Sequence, residues 1–130
     1  MASIMPPIHT LWLAETRHAF RPACAESSTV WDRARAVTYI RERFIPRFRA
    51  EREGATGLAA LLGPATDAAL GAAADLVEAQ CEHLARLATF HQKAAEFSAA
   101  ANELLLAVEE WCGTVDAAAD QVREADLRLV

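Results

Sequence analysis

The chain has 130 residues, 53% of them hydrophobic and 24% charged, with a formal net charge of −5. This is enough apolar material for one buried core and carries no compositional mark of disorder, so a single domain over residues 1–130 is expected. No apolar run approaches the roughly 20 residues that span a bilayer, and "MASIMPPIHTLWLAETRH" has no basic start followed by a cleavable apolar segment, which predicts a cytoplasmic protein with no membrane partner.

Thirty alanines against five glycines and five prolines, with few β-branched residues, favour helix over almost any window. The predicted fold is all-α: an antiparallel four-helix bundle with a short additional C-terminal helix. A first helix is expected from Pro7 to Phe20, with proline accommodated in its first turn and Pro22 closing it. After the polar loop "CAESST", Ser27, Ser28 or Thr29 caps a second helix whose apolar positions run from Trp31 to Phe48. Pro46 lies inside that pattern and is expected to bend the helix rather than end it, because the apolar spacing resumes at Phe48. "GATG", Gly54 to Gly57, reads as the clearest break in the first half, and Pro64 and Thr66 mark the start of a third helix.

Three heptad-spaced lines run on from there: Leu70, Val77, Leu84 and His91; Ala73, Gln80, Leu87, Ala94, Ala101 and Val108; Leu76, His83, Phe90, Phe97, Leu104 and Trp111. A single helix from Thr66 to Cys112 would be on the order of 70 Å long, too long for a domain of this size. A break is therefore placed between Thr89 and Asn102, with Ser98 or Asn102 as the next cap. Gly113 is expected to end the fourth helix and Thr114 to begin the fifth. Three adjacent lines cover a wider face than one packed stripe needs. The surplus predicts a homo-oligomer, with a homodimer as the commonest closed solution, or a protein partner.

Charge is unevenly distributed. Residues 1–53 hold nine arginines against six acids, whereas residues 54–130 hold four basic residues against twelve acids. The arginines alternate with Asp32, Glu42, Glu51 and Glu53, which predicts a solvated helix face with internal pairing and no nucleic-acid surface. Cys24, Cys81 and Cys112 are far apart, odd in number and flanked by apolar residues, so they read as buried free thiols. There is no Gly-rich phosphate loop, nucleophile elbow or paired catalytic carboxylate motif, and no reaction class follows from the sequence.

"WDRARAVTYIRERFIPRFRAERE", Trp31 to Glu53, resembles the second helix of hemerythrin-like (HHE cation-binding) domains, and "VEAQCEHLARL", Val77 to Leu87, resembles their third. The resemblance covers about a third of the chain. It implies a four-helix bundle with a non-haem di-iron centre held by inward-facing histidines and carboxylates. Matched position by position, it gives His9, Glu51 and His83 as metal ligands. Two departures stand against a di-iron centre: the second-helix histidine is Arg47, which cannot ligate a cation, and "ANELLLAVEEWCG" supplies no fourth-helix histidine.

The expectation is thus a degenerate hemerythrin-like bundle acting as a binding or regulatory module. One alternative is a small non-haem iron protein or enzyme using His9, Glu51 and His83 as a facial two-histidine, one-carboxylate site, with His18 or His91 as further candidates; another is a structural helical homo-oligomer or partner-binding protein without metal. Without metal, Arg47 pairs with Glu51 at i, i+4 and His83 is a partly buried core histidine. "FHQKAAEFSAAANELLLAVEE" also resembles the active helix of histidine phosphotransfer domains, which implies His91 as a phosphoryl acceptor. Here Lys93 is two residues on rather than three, and Ala94 stands for the family's glycine.

Overall fold

The computed structural model describes residues 8–25, 27–89 and 94–129. It is all-helical, with no strand among the described residues: α1 Ile8–Cys24, α2 Val30–Tyr39, a π-helical segment Ile40–Phe44, α3 Ile45–Leu62, α4 Pro64–Thr89 and α5 Ala94–Leu129. Because α2, the π segment and α3 follow one another without interruption, the described residues form four principal rods. Helix α5 packs against α1, α3 and α4, and α4 also packs against α2 and α3.

The first rod runs further than predicted. Pro22 lies inside α1, which continues to Cys24. Phe20 and Ala23 are fully buried on either side of it, and the Ser98 hydroxyl donates to the Cys24 carbonyl, so tertiary contacts hold the last turn where the missing proline N–H would let it fray. The second rod starts as its sequence signals: Thr29 Oγ1 accepts from the Asp32 N–H at 3.1 Å while Asp32 Oδ2 accepts from the Thr29 N–H at 2.8 Å, a reciprocal capping box. These bonds from Thr29 hold the Asp32 carboxyl below its ordinary range.

Pro46 is accommodated by a change of helix type just upstream. The Ile45 N–H bonds to the Ile40 carbonyl, five residues back, and the widened turn lets the ring follow the carbonyl of Glu42, which a regular α-turn would drive into it. The predicted break at Gly54 to Gly57 does not occur. Helix α3 passes through both glycines because Ala55 and Ala59 are buried and Arg52 bridges to Asp75 and Glu78 of α4. The true break is one residue, Gly63, whose φ of 105° and ψ of −177° are open to glycine and strained for any side chain. Its N–H satisfies the Ala59 carbonyl and its own carbonyl accepts from Asp67, so a single residue turns α3 into α4, with Pro64 in the first helical position.

Helix α4 is described to Thr89 and α5 from Ala94, and the two pack against each other; residues 90–93, inside the predicted window for the break, lie outside the described residues. Ser98 and Asn102 are therefore not caps but lie within α5, and Gly113 does not end a helix. Helix α5 spans 36 residues, so the predicted short C-terminal helix is simply its continuation. Phe97, Ala101, Leu104, Val108, Trp111, Val115 and Ala118 recur at alternating steps of four and three and are all buried, and this stripe crosses Gly113 without losing phase.

The same periodicity exposes an error in reading the heptads across the break. In α4 the buried positions are Leu70, Ala73, Ala74, Val77, Cys81 and Leu84. The line Leu76, His83, Phe97, Leu104, Trp111 is outward on α4, where Leu76 is 42% exposed and His83 is exposed, yet inward on α5. An interrupted helix restarts with its own phase, so a repeat counted through the interruption joins an outer face to an inner one.

Candidate functional site

The centre of the fold is aromatic. Trp12 of α1 stacks on Phe44 at 5.3 Å between centroids, Phe44 lies parallel to Phe48 at 5.9 Å, and Trp111 of α5 meets Phe48 edge-on at 5.2 Å. All four side chains are at most 2% exposed. Such offset and edge contacts add about 0.5–1.5 kcal/mol per pair to the gain from burial. The indole N–H groups of Trp12 and Trp111 have no hydrogen-bond partner among the described residues, so packing has been favoured over polar satisfaction here. At the edge of the cluster Thr16, fully buried, donates to the Trp12 carbonyl and shares a 3.0 Å hydrogen bond with the Tyr39 hydroxyl.

Those of the residues singled out in the sequence that are described lie around this cluster rather than within it. His9 is in α1, with a side chain outside the described residues, and His91 falls outside them altogether. His18 is exposed on α1, and His83 is exposed on α4 rather than partly buried. Glu51 is half-buried on α3, close enough to Cys112 for its charge to disfavour that thiolate. Among the described residues no three histidine, cysteine, aspartate or glutamate side chains are grouped as a metal site would require. Arg47 reaches outward and donates to Glu15 of α1 at 3.0 Å, with Arg43 approaching the same carboxylate at 3.9 Å. The predicted ion pair of Arg47 therefore has a carboxylate from another helix, 32 residues earlier. Both partners are about 40% exposed, so the pair is worth only tenths of a kcal/mol.

The thiols match the buried reading at two of three positions. Cys81 and Cys112 are buried and desolvation pushes each thiol up to about 12, while Cys24 is half-buried and raised by the same cause. None has the electropositive, accessible setting of a reactive cysteine.

A cleft of about 170 Å³ opens between the π segment with the start of α3 and the middle of α4. Ile40, Phe44, Phe48 and Cys81 form its apolar floor, and Arg41, Arg49, Glu78 and Glu82 stand at its mouth. The π turn shapes this wall. With the Ile45 N–H committed to Ile40 and with Pro46 carrying no N–H, the Arg41 carbonyl receives a donor from neither residue. Glu78 is engaged at 2.6 Å by Arg52, which also pairs with Asp75 at 3.3 Å, and the lining of the cleft carries two arginines and two glutamates. The sequence reading passed over this cleft. Its signals were Arg41, Ile45 and Arg49 at successive steps of four and a proline within an apolar helical pattern, but the partner wall comes from α4, some 35 residues later.

No helix among the described residues is long and apolar enough to cross a membrane. Compared with family models, with curated proteins and with solved structures, the chain gives no match in any of the three, and its functional reading rests on its own residues.

Proposed function

We propose that the chain is a degenerate hemerythrin-like, antiparallel four-helix bundle that works as a binding or regulatory module without a resident metal. The aromatic interior carries this reading. Where a metal-binding bundle projects ligands from its helices toward the axis, this chain brings together Trp12, Phe44, Phe48 and Trp111, and Arg47, at the second-helix ligand position, turns out to Glu15. The antiparallel arrangement is supported by two contacts between α1 and α5, Arg17 to Glu109 and Cys24 to Ser98, in which residue numbers rise along one helix and fall along the other. The single-residue link at Gly63 and the packing of α4 against α3 are consistent with the same arrangement.

Metal analysis of untagged protein from iron-supplemented growth tests the reading. The expected result is iron well below one atom per chain, unchanged in Glu51→Ala and His83→Ala. Stoichiometric iron that both substitutions abolish would overturn it in favour of the His9, Glu51, His83 site. Self-association is part of the proposal. Leu76 and Leu106 are 42% and 63% exposed, each seven residues from Ala69 and Gly113, which line a shallow groove between α4 and α5. Light scattering is expected to return a dimer, and a monomer at tens of micromolar would remove this element.

A further inference from the structure

Helix α5 outruns the helices it packs against. Arg17 pairs with Glu109 and the Ser98 hydroxyl donates to the Cys24 carbonyl, so Ile8, nine residues before Arg17, comes level with Ala118. Ala65, Thr66 and Ala69 share a groove with Ala117 and Gln121, which puts the start of α4 at the same height, and α3 ends at Leu62 beside it. Burial on α5 stops there: Ala118 is buried, Ala119 and Val122 are half-buried, and Arg123 and Glu124 are exposed. Residues 122–129 therefore project past the other helices by about 12 Å. The apolar spacing does not stop with them. Val115, Ala118 and Val122 are followed at the same steps of three and four by Ala125 and Leu129.

We propose that residues 1–7 form an extended strap that runs on from α1 along the projecting end of α5 and covers this stripe. Direction is the first argument. Residue numbers fall along α5 as they rise along α1, so the chain traced back from Ile8 travels the same way as α5 running forward. Backbone chemistry is the second. Pro6 and Pro7 hold the residues before them in extended geometry and oppose any backward continuation of α1. Seven extended residues reach up to about 23 Å, enough for the projecting turns. The segment "MASIMPP" also carries no charged side chain and offers Ile4 and Met5 for apolar cover.

Area separates the strap from a second copy. One face of two helical turns is on the order of 150 Å². Each partner in a stable complex contributes about 800 Å², whereas a segment already tethered beside the stripe is held there by its high effective concentration.

Ile4→Cys/Val122→Cys, oxidised mildly in the full chain, tests the contact; the native thiols are buried or half-buried, so the added pair reacts first. A bond within one chain is expected, seen as a faster-migrating monomer on a non-reducing gel. Trypsin gives a second readout, because Arg123 is exposed and cleavage after it requires the helix to open locally. Deleting residues 2–6, or substituting Ile4→Asp/Met5→Asp, should speed that cleavage by about fivefold or more while circular dichroism shows the helices intact. A disulfide joining two chains, no disulfide, or an unchanged cleavage rate in both variants would each overturn the strap. None of these outcomes bears on iron content, so the strap and the metal-free reading fail separately.

Discussion

Helix α5 and the rod from Val30 to Leu62 are both long and both cross a helix-weakening residue, yet only the rod leaves α geometry. In α5 the buried stripe keeps strict phase from Phe97 to Ala118, so Gly113 costs only its propensity, about 1 kcal/mol, and the helix runs on. In the rod, Pro46 falls between two buried aromatics, Phe44 and Phe48, which must both reach the central cluster. The helix keeps them there by widening into a π turn upstream of the proline. The contrast shows that a glycine or proline breaks a helix only when the buried face has no reason to continue, or when the backbone must take a conformation closed to other residues. Gly63 meets the second condition, with its positive φ.

The sharpest way to break the comparison is to remove the aromatic that forces the rod's geometry. Phe48→Ala deletes a 2% exposed ring in contact with Trp12, Phe44 and Trp111, and should lower the unfolding free energy by about 3–5 kcal/mol. Denaturant unfolding followed by circular dichroism measures it, and a loss of under 1 kcal/mol would mean that the cluster does not organise the fold. Gly63→Ala comes next. A Cβ there meets no atom within 4 Å, so the cost is backbone strain alone, about 1–3 kcal/mol in the same assay.

The glycines inside helices should move the other way. Gly57 and Gly113 lie in regular helix with open space around an added Cβ, and Gly57→Ala and Gly113→Ala should each raise stability by about 0.5–1 kcal/mol, seen as a higher urea midpoint. Equal effects in the two helices would show that the rod's irregularity is confined to the neighbourhood of Pro46. The smallest effect is expected from His83→Ala. An exposed histidine on the outer face of α4 should shift stability by less than about 0.5 kcal/mol, with or without added chelator. A chelator-sensitive loss would show that its imidazole holds a metal.

Much of the local structure is legible in single short stretches of the chain. Alanine content fixes the helical class, Thr29 and Asp32 announce a capping box three residues apart, and the steps of α5 can be read directly from Phe97 onward. These features depend on neighbours within one or two turns, where backbone propensity and side-chain periodicity act. Burial of Cys81 and Cys112 follows from the same periodicity.

Which candidate breaks were real was not legible in this way. Gly54, Gly57, Pro22 and Gly113 look like Gly63 in one dimension, and only packing from another helix, such as Ala55 and Ala59 against α4 and α5 or Ser98 against Cys24, decides that the first four are spanned. The same holds for the candidate sites. Arg47 has Glu51 one turn away in sequence, but α1 brings Glu15 to its guanidinium. The cleft joins Arg41 and Arg49 to Glu78, Cys81 and Glu82, residues that no spacing rule connects. Local sequence sets what each segment prefers at a cost of about 1 kcal/mol per residue or less, whereas burying an aromatic side chain is worth several times that. Where the two disagree, tertiary packing therefore determines the outcome.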